Sequence, residues 1–440
     1  MKRALVLGIA LALAAGTSNA MMINPRGTGQ VLVFPYYTVN AGQATLFSVI
    51  NTTARGKALK VRFHEAYNGR NVLDMNVYLS AYDVWTGAIS ERSDDDGAAL
   101  VSNDNSCTVP AFQRVPLTPP GSGFQTVPIA FSAANYSGLR ADTGPSGPAR
   151  AREGHFDVIE MGELTNATSQ QSLKAITHVN GVPPGCDQMV EAWAQDGYWT
   201  AKSTVDMAAP TGGLYGEESI INVPEGTMYG LNAIAIDRFS TIAQNTSPDD
   251  PFPDLNTAID SGTGQTTSVT VEVPVNGHMT TATFTNPVDA MSALFMVDSL
   301  ENEYVLSSSI GATSDWVVTV PTKRFYVDKL LQPANPGVSS LFDASFGDIP
   351  QYPGTSCASG VPNLYNREEQ TSVGTSPAAL VALCYETNVL TFDGAPSALG
   401  SHLTTAFDAT HTSIIASNGL SAGQLRIDFD PKTAASFKRH

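Results

Sequence analysis

Charge is scarce in this chain: Asp, Glu, Lys and Arg make up only 15% of its 440 residues. Soluble globular domains average about a quarter charged residues, so this composition argues against a helical enzyme with a Lys/Glu-rich surface. Basic residues are the scarcer kind, 24 against 41 acidic ones, for a formal net charge of −17. A surface of that sign repels nucleic acid and anionic lipid and attracts cations. Only four cysteines occur and none forms a CxxC, which argues against thiol–disulfide exchange and a zinc knuckle. HExxH, GxSxG, SxxK, the Walker loop and GxGxxG are also missing, so the enzyme classes that announce themselves by motif have no anchor. No stretch of 18 or more apolar residues follows residue 20, and no transmembrane segment is expected once a leader is removed. The lack of a fixed-period repeat argues against a solenoid or propeller.

What is present begins with a leader. Lys2 and Arg3 precede an apolar run over residues 4–15, and Ser18-Asn19-Ala20 are the small residues a signal peptidase reads. Residues 1–20 are therefore expected to be a secretory signal peptide, too short in its apolar part to serve as a membrane anchor. The expected location is outside the cytoplasm: periplasmic, cell-surface or extracellular. In that setting four cysteines suggest two disulfides, and the short loops favour Cys107 with Cys186 and Cys357 with Cys384 over the other pairings.

The periodicity is that of strands. Leu59, Val61 and Phe63 alternate with Lys60, Arg62 and His64, and beyond an Asn68-Gly69 turn Leu73, Met75, Val77 and Leu79 alternate with Asp74, Asn76, Tyr78 and Ser80. A period of two makes these half-buried strands of a hairpin that needs a second layer over its apolar face. Similar runs lie at 31–37, 45–50, 82–89, 126–131, 156–159, 316–320, 379–385 and 425–429, with hairpins at 219–236 and 267–284. Pro35 places the first of these at a sheet edge. Val84, Trp85 and Ile89, and later Leu425, Ile427 and Phe429, are expected core. One helix is expected after Pro183-Pro184-Gly185, capped by Asp187, with Met189, Val190 and Trp193 on one face and Gly197 ending it. With 37 Gly and 27 Pro, the fold class is mainly β: antiparallel β-sandwich domains, immunoglobulin-like or jelly-roll-like, with long loops and one or a few short helices. The length exceeds what one core serves, so residues 21–210 are expected to form an N-terminal sandwich and 211–440 a second β-rich domain. On this reading Asp74→Leu is tolerated and Met75→Asp is not.

Candidate sites each have a plainer explanation. Asp142-Thr143-Gly144 and Asp260-Ser261-Gly262-Thr263 suggest the two carboxylates of an aspartic protease, which share one proton. The second, after Ala258-Ile259, resembles that family's pattern over six residues. The first departs from it, with Arg140 and Ala141 in place of apolar residues and Pro145 in place of a hydroxyl, and glycine turns explain both. Asp94-Asp95-Asp96 and Asp249, Asp250 and Asp254 offer carboxylates to calcium, but the spacing matches no EF-hand and favours solvated loop charge. His64 reads as a surface histidine. Tyr36, Tyr37, Trp85, Trp199 and Tyr215 suggest a sugar-stacking platform, against the commoner role of strand aromatics in the core. No catalytic, cofactor-binding or metal-binding residue is assigned.

The runs VLVFPYYTVNAGQATLFSVINTT, KVRFHEAYNGRNVLDMNVYLSAYDVWTGAI and DWVVTVPTKRFYVD resemble an uncharacterised family of exported proteobacterial cell surface proteins, in order and over most of the chain after the leader. The resemblance implies export and surface exposure and brings no catalytic or ligand residues. The expected function is that of a secreted or cell-surface structural or binding protein of the bacterial envelope or extracellular matrix, with envelope components, matrix components or glycans as partners. The alternative is a secreted hydrolase, polysaccharide-active, with an acid pair that no motif marks. Two carboxylates ~5–10 Å apart across a cleft would favour the hydrolase, and an unpaired strand edge the binding component.

Overall fold

The computed structural model describes residues 20–119, 121–142, 144–260, 268–275, 278–307, 309, 311–328, 358–367, 381–392, 397–401, 413–414 and 422–429. The expected leader up to residue 19 and Cys357, the expected partner of Cys384, lie outside the described residues. The fold is mainly β, with antiparallel sheets and a few short helices.

Its organising hairpin is the one the alternation predicts. Gly56–Glu65 and Asn71–Leu79 run antiparallel, with Lys57 opposite Leu79, Val61 opposite Met75 and Arg62 opposite Asp74. The turn between them depends on Gly69 at φ +65°, a conformation side-chain-bearing residues rarely adopt. These strands are central in an eight-stranded sheet ordered Met22–Ile23, Ile234–Asp237, Val31–Thr38, Glu153–Leu164, Gly56–Glu65, Asn71–Leu79 and Cys107–Val109, with Met207–Ala208 beside Glu153–Leu164. A six-stranded sheet lies across one face, ordered Ile129–Ala130, Ala98–Val101, Val84–Glu91, Ala44–Asn51, Leu214–Asn222 and Thr227–Asn232. The inward rows of both sheets form one core: Leu59, Val61, Phe63, Met75, Val77, Leu79, Phe156 and Val158 meet Phe47, Val49, Trp85 and Ile89. Phe156 stacks between Phe34 at 4.1 Å and Phe63 at 4.9 Å. Two charged residues close the inward row of Gly56–Glu65. Lys57 donates to Glu160 at 2.8 Å at one end, and Glu65 holds the Arg150 guanidinium at 3.0 Å at the other.

The opposite face of the eight-stranded sheet is also covered. Three short helices, Ser172–Ile176, Cys186–Ala192 and Tyr198–Ala201, pack over Ala58, Tyr78, Met161 and Leu164. The Cys107–Cys186 disulfide ties the second of them to an outer strand. This helix begins after Gly185 without a side-chain cap, carries Asp187 in its first turn and stops at Ala192, before Gly197. Met189 points inward and Val190 outward, so the expected apolar face is one residue narrower. The hairpin of Val269–Val275 and His278–Phe284, with helix Pro287–Phe295, covers Val31, Val33, Ile159 and Ile236. Beyond it a four-stranded sheet (Ser299–Val305, Ala422–Phe429, Ala358–Asn366, Val381–Leu383) and a three-stranded one (Trp316–Thr319, Thr387–Phe392, Ser413–Ile414) close on a separate core of Tyr304, Trp316, Leu390, Phe392, Leu425 and Ile427.

Two expectations need correction. Val31–Thr38 is not an edge strand: it pairs with Glu153–Leu164 on one side and with Ile234–Asp237 on the other. The second pairing spans only Val31–Val33, and the first skips register past Phe34, so Pro35 sits where no ladder bond is demanded of it. The sheets also do not divide after residue 210, because Leu214–Asn222 and Ile234–Asp237 complete the two sheets of the first sandwich.

Both faces of the hairpin are therefore buried, which reverses one expectation from the alternation. Asp74 is not solvated. It accepts from Arg62 Nε at 2.9 Å, with side-chain exposures of 16% and 6%. Asp74→Leu is predicted to cost about 2 kcal/mol, below the ~3–5 kcal/mol of a broken isolated pair because Asp157 and Asp254 still face Arg62. Met75→Asp, which buries a charge in the apolar core, is predicted to cost about 4 kcal/mol or more. Urea unfolding of the two variants checks both figures.

Candidate functional site

Two places concentrate chemistry, a sealed ionic layer and an open cleft. The layer arises from the alternation itself. Lys60, Arg62 and His64, Asp74 and Asn76, and His155 and Asp157 are the outward residues of three adjacent strands, so opposite charges face one another across the ladder. Arg62 stands opposite both Asp157 and Asp74, and its Nη1 is 3.8 Å from Asp254 Oδ2. His64 Nε2 meets Asp157 Oδ2 at 3.1 Å while Nδ1 faces the Gly69 carbonyl at 3.0 Å, and the ring stacks on His155 at 5.0 Å. The C-terminal part of the chain supplies the lid. Arg324 Nη2 lies 3.7 Å from Asp157, and Arg324 donates to Glu386 from both Nη1 and its backbone N–H at 2.9 Å. Lys323 donates to the Cys384 carbonyl, and Lys60 to the carbonyls of Ser247, Pro248 and Asp250.

Burial dominates the electrostatics. It pushes the imidazoles of His64 and His155 well below the usual histidine range, helped by Arg324 in both cases. It raises Glu386 to about 8 against the pull of Arg324, and lowers Lys323 to about 7. Burial also works against the charge of Arg62, but Asp74, Asp157 and Asp254 outweigh it and hold the guanidinium charged. His64, Asp157, Arg324 and Glu386 have side chains at most 4% exposed, so the acids and bases are matched to each other and closed to a substrate. The layer is a fastening between the sandwich and the C-terminal segment.

The open cleft, of about 740 Å³, lies where the edge of the six-stranded sheet meets the C-terminal sheets. Tyr229, Gly230 and Leu231 line one side, Leu300–Val305 and Thr313–Val318 the other. The second wall is braced from within. Trp316 Nε1 donates to the Glu303 carbonyl at 3.1 Å, Ser314 bonds both the N–H and the carbonyl of Val305, and Asp315 accepts from the Ser397 hydroxyl at 2.6 Å and the Leu399 N–H at 3.0 Å. Among the described residues, Glu301, Glu303 and Asp315 are the charged ones of the lining, with no Lys, Arg or His beside them. Glu301 and Glu303 project from one strand two residues apart and Glu301 pairs with Arg426, so they do not flank a scissile bond from opposite sides.

The residues singled out from the sequence are dispersed. Asp142 is clamped by Arg150 at 2.6 Å, which holds its carboxyl below the usual range against the opposing effect of burial, whereas Asp260 accepts from the Thr270 N–H at 3.0 Å. They share no partner and form no dyad, and residues 261–264 lie outside the described residues. Asp94 and Asp95 both pair with Arg92. Asp250 and Asp254 cap turns through the amides of Phe252 and Asn256. No group of three or more His, Cys, Asp or Glu side chains among the described residues is arranged to hold a metal ion. Tyr36, Tyr37, Trp85 and Trp199 are core residues, so the stacking platform does not form, and Tyr215 alone of the five is half-exposed. His64, read as a surface residue, is 1% exposed. The signal for the ionic layer was present in the sequence, as Arg62 between two acidic positions on neighbouring strands, but its burial depends on segments nearly 200 residues or more away.

His155 provides a test of the layer. Its folded pKa is depressed, so its neutral form contributes stability above pH 6.5 that is lost as pH falls and the unfolded chain takes up the proton. Glu386, raised by burial, acts in the opposite direction, losing stability as pH rises from 4.5 toward 8. His155→Gln is therefore predicted to remove one proton from the pH dependence, about 1.4 kcal/mol per pH unit below pH 6.5, read by urea unfolding at pH 5 to 7. Comparison of the chain with known protein families, curated proteins and solved structures found no match.

Proposed function

We propose that this is an exported protein of the bacterial envelope or matrix that acts as a rigid binding component, not as a catalyst. The observation that carries the reading is the open cleft at a sheet edge: among the described residues Thr227–Asn232 ends the six-stranded sheet and pairs with Leu214–Asn222 alone. Edge strands are normally blunted, and a six-residue edge left open beside a cleft is a surface suited to recognition. Tyr229, 39% exposed, faces the cleft with the aromatic character of a contact residue, and Met228, 68% exposed, projects from the opposite face of the same strand. Export is supported by the sequence of the leader and by the disulfide between buried Cys107 and half-buried Cys186, a bond of the kind that persists in oxidising compartments.

Cell fractionation with protease added to intact cells tests this. The expected product lacks residues 1–20, contains oxidised Cys107–Cys186 and is found outside the cytoplasm. A cytosolic product that keeps its leader and carries Cys107 and Cys186 as free thiols contradicts the reading.

A further inference from the structure

We propose that the cleft takes up an extended, basic segment of a partner protein, added as a strand to the Thr227–Asn232 edge; this rests on the reading of the chain as a binding component. The first support is the backbone. Thr227–Asn232 bonds Leu214–Asn222 through one side, and among the described residues no backbone hydrogen bond engages the other. Six residues of strand offer an edge of about 20 Å, enough for a short extended peptide. Near the middle sits Gly230, whose backbone groups, like those of Met228 and Asn232, alternate with the ones that bond Leu214–Asn222 and so point to the free edge; its Cβ position, with nothing within 4 Å, leaves the sheet face open there.

Charge decides what kind of segment fits. Among the described residues Glu301, Glu303 and Asp315 are the charged residues of the cleft lining, and Arg426, the base that reaches Glu301, is also engaged by Asp428. A strand added to this edge sends alternate side chains toward those carboxylates, where Lys or Arg is favoured and Asp or Glu repelled. A second copy of this chain is disfavoured by the same field, since each copy carries a net charge of −17. Leu300, Trp316 and Val318 on the same wall offer apolar surface to the aliphatic stems of those Lys or Arg side chains.

The probe is a fluorescein-labelled decapeptide of alternating lysine and threonine, added to the full chain without its leader at about 0.15 M salt and followed by anisotropy. Binding is expected, and Gly230→Lys, which adds bulk and positive charge at an open position, is expected to weaken it about tenfold or more. Glu303→Gln should weaken it by about threefold, while Glu225→Gln, at the exposed hairpin tip outside the cleft, should leave it within about twofold. A peptide of alternating lysine and proline has the same charge but lacks half the N–H groups, and is expected to bind about tenfold more weakly. Equal binding of the proline peptide, or indifference to Gly230→Lys, would reduce the effect to attraction by an acidic surface and overturn the proposal. No binding, tighter binding of a glutamate–threonine peptide, or a dimer of the chain that Gly230→Lys dissolves would overturn it as well. Failure of the export experiment with peptide binding intact would sink the envelope role and leave the groove standing.

Discussion

The pairing of Arg62 with Asp74, Asp157 and Asp254 is the interaction on which the architecture turns. These charges lie on the outward face of a sheet whose inward face is apolar core. A guanidinium withdrawn from water costs several kcal/mol unless its partners are in place, so the outer face is stable only when the residues that cover it bring complementary charge. They do so from three distant segments: Asp254 from the loop ahead of the Val269–Val275 hairpin, Arg324 from a short helix, and Glu386 from the turn before Thr387–Phe392. The apolar patches beside the layer, under the helices on one side and under the hairpin and Pro287–Phe295 on the other, supply the non-directional stabilisation. The ions supply the register, since Arg62 and Arg324 meet their carboxylates only in this pairing.

That fastening positions the cleft. With Arg324 and Glu386 locked to the sandwich, Trp316–Thr319 and its partner strand Thr387–Phe392 are held beside Val31–Thr38, where the Thr319 hydroxyl donates to the Pro35 carbonyl at 2.5 Å. The wall bearing Glu303 and Asp315 then stands opposite Tyr229 and Gly230. The recognition surface is thus a consequence of how the C-terminal sheets dock, which a domain read in isolation would not contain.

Local rhythm was legible in the sequence, and long-range coverage was not. The hairpin of Gly56–Glu65 and Asn71–Leu79, the inward Trp85 and Ile89, the Cys107–Cys186 link, the hairpin at Val269–Val275 and the final strand with Leu425 and Ile427 follow from spacing alone. An alternating strand, however, reads the same whether its polar side faces water or an ionic layer. His64 and Asp74 read as solvent-facing for that reason, and Pro35 as an edge residue because a bulge in a central strand tolerates proline as an edge does. The cleft left no local mark, since Tyr229, Glu303 and Asp315 lie in unrelated segments that only the tertiary fold brings together.

Amide hydrogen exchange along the whole chain tests most directly the claim that the eight-stranded sheet is buried on both faces. Gly56–Glu65 and Glu153–Leu164, enclosed on both sides, should be the slowest-exchanging segments and should open only with global unfolding, while Val84–Glu91, with one face toward solvent, exchanges sooner. Exchange in Gly56–Glu65 as fast as in Val84–Glu91 would mean that the ionic layer is open to water, and the account built on it would be wrong.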